Sequence, residues 1–172
     1  LTMLLIFIVV ANGQDNHFTS AYVYLPMNIY VTEALLDGAH LEAGDEIGIF
    51  DGNICVGGGV VVTTIEATAD GMLDIVASLQ DPAETIGTGF TEGNSISYRI
   101  WDSSMGIETI QVVATYVQGE GVFDASGSAY MSLVGTSCEG GGQITCSDGA
   151  CVDNAVNCSD AIPGCTDANA CN

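Results

Sequence analysis

Positive charge is almost missing from this sequence: it has no lysine, and Arg99 stands alone against 22 aspartates and glutamates, for a formal net charge of −21. One cation cannot neutralise a phosphate backbone, which excludes nucleic acid as a partner. An anionic lipid surface is disfavoured for the same reason. Histidine is scarce as well, since His17 and His40 are the only two, and neither sits in a nucleophile motif such as a serine elbow. The triple glycine Gly57-Gly58-Gly59 lacks the lysine and the helix of a phosphate-binding loop. Carboxylates, by contrast, are so abundant that no pair stands out as a glycosidase couple. The chain is therefore read as noncatalytic.

Long apolar runs are also missing. The longest, Leu1 to Ala11, is interrupted only by Thr2 and followed at once by polar residues, which is too short to span a bilayer. It has the length of a signal-peptide core, and Ala11-Asn12-Gly13 places small residues ahead of a cut before Gln14. Residues 1–13 are accordingly expected to be a signal peptide whose N-terminus is missing, because no initiator methionine or basic stretch precedes the apolar run. No insertion of the mature chain into a membrane is expected.

What remains has material for a core: 48% of residues are hydrophobic and the mean hydropathy is +0.38, unlike a disordered acidic tail. From His17 to Thr136, short runs of Val, Ile, Tyr and Thr alternate with Gly, Asp and Asn, the chemistry of strands and turns. Strands are expected over Phe18 to Leu25, Ile29 to Thr32, Glu46 to Phe50, Ile54 to Thr64, Met72 to Leu79, Ser95 to Trp101, Ile107 to Val117 and Ala129 to Val134. Glu33 to Leu36 reads alternatively as one helical turn. Asp51-Gly52-Asn53 marks a hairpin, and Leu36-Asp37-Gly38 and Asp70-Gly71 punctuate in the same way. The triple glycine inside a strand calls for a bulge or a close backbone approach. In Ser95 to Asp102 the pattern alternates strictly, with Ile96, Tyr98 and Ile100 on one face and Ser97, Arg99 and Trp101 on the other. With no βαβ rhythm, the expected fold is all-β, an antiparallel β-sandwich over residues 14–136, with a closed barrel as the alternative.

After Gly135 the composition changes. Aromatics vanish and Cys138, Cys146, Cys151, Cys158, Cys165 and Cys171 follow one another at spacings of 8, 5, 7, 7 and 6. Six cysteines behind a signal peptide read as a disulfide framework whose pairing the spacing does not decide. Zinc is the weaker reading, since the stretch has no histidine and no CxxC. Residues 137–172 are thus expected to be a disulfide-rich, loop-dominated acidic tail. Cys55, between Ile54 and Val56, reads as a small buried hydrophobe.

The stretch Leu41-Glu42-Ala43-Gly44-Asp45-Glu46-Ile47-Gly48-Ile49-Phe50-Asp51-Gly52-Asn53-Ile54-Cys55-Val56-Gly57, with Gly89 to Asn94 and Tyr98 to Asp102, resembles a module repeated in large secreted proteins of Bacteroidetes-type bacteria. Gly164-Cys165-Thr166-Asp167-Ala168-Asn169-Ala170-Cys171-Asn172 is similar to the start of the short cysteine repeats that follow such modules. The resemblance implies an extracellular or cell-surface location and a longer parent exported by the type IX route. It brings no activity with it.

Two ligand chemistries follow from residue types. Calcium takes several oxygen ligands, and Asp45, Asp51 and Asn53 around the first hairpin, Asp102 after the tryptophan strand, and Asp148, Asp160 and Asp167 in the tail supply them. None of these matches a full calcium loop, and aspartate beside glycine is first of all a turn former. Carbohydrate is the second, because an aromatic ring stacks on an apolar sugar face while its edge stays wet. Trp101 and Tyr98 are the residues expected to touch such a ligand, and Tyr22, Tyr24, Tyr30, Tyr116 and Tyr130 are also available. The expected role is a monomeric, noncatalytic module for adhesion, spacing or ligand binding within a longer surface protein, with calcium as its candidate stabilising ion; the alternative is a carbohydrate-binding module of a polysaccharide-degrading protein. Its expected partners are extracellular polysaccharide or other surface proteins.

Overall fold

The computed structural model describes residues 16–20, 23–138, 140–146 and 151–153. These form an all-β fold with the strands β1 (Met27–Leu36), β2 (Ala39–His40), β3 (Glu46–Asp51), β4 (Ile54–Val60), β5 (Leu73–Ala77), β6 (Ile96–Asp102), β7 (Ile107–Thr109), β8 (Val112–Gln118), β9 (Ser128–Gly135), β10 (Ile144–Thr145) and β11 (Cys151–Val152). The first sheet runs β1-β9-β8, with β1 flanked on its other side by β5 along Met27–Val31 and by β2 at Leu35–Leu36. The second runs β4-β3-β6-β7. Every pairing is antiparallel except β1 with β9, so the first sheet is mixed where a purely antiparallel one was expected.

Alternation along the strands builds the core. Ile29 and Val31 of β1, Ile75 of β5, and Met131 and Leu133 of β9 point inward from the first sheet. Ile47 and Ile49 of β3, Val56 of β4, and Tyr98 and Ile100 of β6 meet them from the second. Phe90 and Phe123, from two loops, stack at 4.6 Å and plug one end. Removing such a side chain costs transfer energy and leaves a cavity, about 2–5 kcal/mol for an isoleucine cut to alanine.

The hairpins form where glycine and aspartate announce them. Between β1 and β2 both Asp37 (φ 52°) and Gly38 (φ 83°) take positive φ, the geometry of a type I′ turn. Between β3 and β4, Gly52 alone does so. The triple glycine is explained by both expected causes. A register shift marks a bulge where Phe50 pairs Cys55 and Ile49 pairs Gly57, and a Cβ on Gly57 would lie 2.7 Å from the Val76 carbonyl oxygen. Through this approach β4 abuts β5, and the Ser78 amide donates to the Val56 carbonyl across the seam.

Three expectations are corrected. The described part of Phe18 to Leu25 is not a strand: Phe18 lies on the outer face of the second sheet against Gly48 and Gly58, Tyr24 hydrogen-bonds to Ser78 and Leu79 beyond β5, and Leu25 has a positive φ of 37°. Ile107 to Val117 is two strands, broken at Ile110-Gln111, where the chain leaves the second sheet for the first. Glu33 to Leu36 is strand and not a helical turn, because it continues β1 against β9.

The chain stays docked beyond Thr136. Asp37 accepts the Ser137 amide at 2.9 Å and its hydroxyl at 2.6 Å. Cys138 is buried and bonded to Cys151, which closes the β10–β11 hairpin. Cys146 is disulfide-bonded as well. The expected signal peptide (1–13), Cys158, Cys165 and Cys171 lie outside the described residues.

Candidate functional site

Of the expected calcium ligands of the sandwich, Asp45 and Asp102 line one hollow where the turn before β3 meets the turn after β6, Asp51 lies at a different turn, and each of the three carboxylates already accepts hydrogen bonds. Asp45 takes the Glu42 amide at 2.8 Å on one oxygen, and the Ser103 amide and hydroxyl at 3.0 and 3.1 Å on the other. It is buried and ties the turn before β3 to the turn after β6. Asp51 takes the Thr91 amide at 2.8 Å and the Asn94 side-chain amide on both oxygens. Asp102 caps its own turn through the Ser104 amide and hydroxyl and the Met105 amide. Asn53 is exposed in the β3–β4 turn. Among the described residues no three acidic, histidine or cysteine side chains converge as a metal site. Asp148, Asp160 and Asp167 lie outside the described residues.

The two aromatics expected to touch a ligand are engaged within the chain. Tyr98 is a core residue, 3% exposed, and its hydroxyl lies 2.8 Å from that of Tyr116. Since Tyr98 belongs to β6 and Tyr116 to β8, the pair bridges the two sheets. Burial above all, with the Tyr116 hydroxyl beside it, pushes the Tyr98 phenol far above its ordinary pKa. Trp101 does lie on the outer face with Ser97 and Arg99, but His17 covers it, the two rings stacking at 3.8 Å with planes 8° apart.

That outer face is partly covered by the segment around His17 and Phe18, which buries Phe18 and Phe50 and leaves Trp101 and Arg99 half-buried. The His17 and Phe18 amides both donate to the Glu46 carboxylate at 2.9 Å. His17 Nε2 lies 2.9 Å from Glu108 Oε2, and Arg99 holds Glu108 Oε1 at 2.8 Å. Phe18 packs edge-on to Phe50, and the Arg99 guanidinium lies over the same ring, 3.9 Å from its centroid. Phe18 is admitted because Gly48 and Gly58 have no side chains: a Cβ on Gly48 would lie 2.8 Å from the phenylalanine ring, and one on Gly58 would strike the Phe18 carbonyl. Burial alone would raise the Glu108 carboxyl, but the hydrogen bonds from His17 and Arg99 outweigh it and hold the group below its usual value. Beneath the segment, Cys55 is a half-buried thiol whose pKa burial raises, the chemistry of an unreactive cysteine.

The outer face of the first sheet is built differently. Tyr30 of β1 lies opposite Tyr130 of β9, and their rings stack at 4.5 Å with planes 18° apart. Asp74 of β5 is the cross-strand neighbour of Tyr30. Its charge is the main reason the Tyr30 phenol is raised. Further along the same strands lies an open hollow of about 450 Å³, lined among others by Thr32, Glu33, His40, Glu66 and Ser132.

The residues that sequence reading missed are His17, Phe18, Glu46 and Glu108. Their signal was present only in part, as charged groups at outward positions of apolar strands, with nothing to say that a segment 28 or more residues away would lie on them. Comparison with known proteins places the chain beside none of them: no family model, no curated protein and no solved structure matches it.

Proposed function

We propose that the chain is a noncatalytic extracellular module that acts as a rigid spacing and adhesion unit within a longer surface protein. The observation that carries this reading is the use to which the chemically prominent side chains are put. Trp101, His17, Arg99 and Glu108 bind one another, and Asp45, Asp51 and Asp102 clamp loops. A spacer needs such internal clamps, which raise the cost of local opening. The Cys138–Cys151 bridge supports an oxidising location, secreted or on the cell surface. The fixed junction at Asp37 and Ser137 supports a module that holds its orientation to the tail. On this reading calcium acts at the tail aspartates Asp148, Asp160 and Asp167, and the sandwich stands without it.

Substituting Trp101→Ala tests the reading. Loss of the stack on His17 and of the ring's packing lowers the stability of the domain by about 1–3 kcal/mol, seen as a lower midpoint in thermal unfolding. A domain that keeps its midpoint but loses binding to a polysaccharide would show Trp101 to be a ligand residue and would overturn the structural role.

A further inference from the structure

We infer that the outer face of the first sheet, at the Tyr30–Tyr130 pair and the hollow beside it, binds an uncharged, hydroxyl-rich polysaccharide. The inference rests on the reading of a noncatalytic extracellular module and gives that module its ligand surface. The tyrosines stack at a spacing close to that of neighbouring strands, so the rings stand side by side on the sheet. Each covers one face of the other. The second face of Tyr30 turns towards β5, where Asp74 is its neighbour, and that of Tyr130 turns towards β8. The core does not need these rings, because Ile29, Val31, Ala129 and Met131 on either side of them in sequence already fill the interior.

The hollow has a topological cause. β1 exchanges partners along its length: β5 ends its pairing at Val31 with Leu73, and β2 begins at Leu35 with His40. Between them β1 has no strand on that side, and its register against β9 shifts between Val31 and Glu33. The loop carrying Ile65 and Glu66 forms the far wall. Thr32 and Ser132, each two residues beyond a tyrosine, therefore line the hollow about 7 Å along the strands from the stacked rings. The outward parts of the half-buried tyrosine pair suit the C–H surface of a sugar ring, and the hydroxyls, imidazole and carboxylates beside it suit the sugar's hydroxyl groups.

Charge selects among polysaccharides. The face and its hollow carry Asp74, Glu33 and Glu66, and the only arginine is held by Glu108 on the opposite sheet. Uronic or sulfated polymers would be repelled. A neutral polymer meets no such barrier.

Affinity electrophoresis of the oxidised chain, in gels containing hydroxyethylcellulose, galactomannan or glycogen, with alginate as the anionic comparison, tests this. The expected result is retardation by at least one neutral polymer, unchanged in high salt, and none by alginate. Tyr130→Ala should weaken that retardation roughly tenfold or more, the loss typical of a central aromatic contact. Ser132→Gln, which fills the hollow from a surface position, should do the same and guards against a folding defect in the first variant. The emission of Trp101, on the other sheet, should not shift on binding. Absence of retardation by every neutral polymer, parental mobility of both variants, loss of retardation in salt, or a shift in Trp101 emission would each overturn the inference. Release of reducing ends from the same polymers would instead overturn the noncatalytic reading, so the two fail separately.

Discussion

At the scale of single residues, charge is used to hold the chain to itself. Glu108 accepts from both His17 and Arg99, and its carboxyl is held below its usual value. A carboxylate with a depressed native pKa stabilises the fold above its unfolded value of about 4.3 and loses that contribution as pH falls through the native one. The urea midpoint of Glu108→Gln should therefore lie below that of the parent at pH 7 and converge with it in acid, below about pH 4. Asp45 offers a second test. Asp45→Ala leaves the Glu42 and Ser103 amides without their acceptor at a buried site, which costs about 1–3 kcal/mol in chemical denaturation. The alternation of Tyr98 and Trp101 onto opposite faces was legible in the sequence, because it depends only on the period of a strand. What covers each face was not. Tyr98 meets a hydroxyl 18 residues away on the other sheet, and Trp101 meets His17, contacts that no local pattern encodes.

At the scale of elements, the glycines decide where segments approach. Gly58→Ala pushes against the Phe18 carbonyl, so the segment at His17 and Phe18 should lift from the second sheet. The expected readout is faster modification of the Cys55 thiol by a disulfide reagent at pH 8, and Phe18→Ala should accelerate it further. Equal rates in parent and variants would show that the segment does not shield the thiol. Reducing the Cys138–Cys151 bond, which closes a loop of 13 residues, removes about 3 kcal/mol from the β10–β11 hairpin by the chain-entropy estimate. The two sheets, built from residues before the bridge, should keep their cooperative unfolding. The hairpin turns were legible because Asp-Gly and Gly-Asn carry their own backbone preference. The break at Ile110-Gln111 was not, since Ile107 to Val117 keeps its apolar, β-branched character while the chain changes sheets. The run from Phe18 to Leu25 misled for the opposite reason: it has strand composition, yet its described residues pair into no sheet.

For the molecule as a whole, the expected all-β class is found, and the parallel pairing of β1 with β9 is the feature that pattern alone conceals. That pairing joins strands about 100 residues apart in sequence, and only the assembled sheet places Tyr30 against Tyr130. The candidate ligand surface was for that reason less legible than the fold. The acidic character, which suggested calcium throughout, divides in the structure into clamps whose oxygens accept amides and a tail beyond the described residues. The most direct test of that division follows Trp101 fluorescence during thermal unfolding of the oxidised chain, in EDTA and in millimolar calcium. A ligand that binds only the folded state must raise the midpoint. The account predicts the same Trp101 midpoint in both solutions, because Asp45, Asp51 and Asp102 serve the backbone. A rise of many degrees in calcium, absent with magnesium, would contradict it and make these aspartates ion ligands.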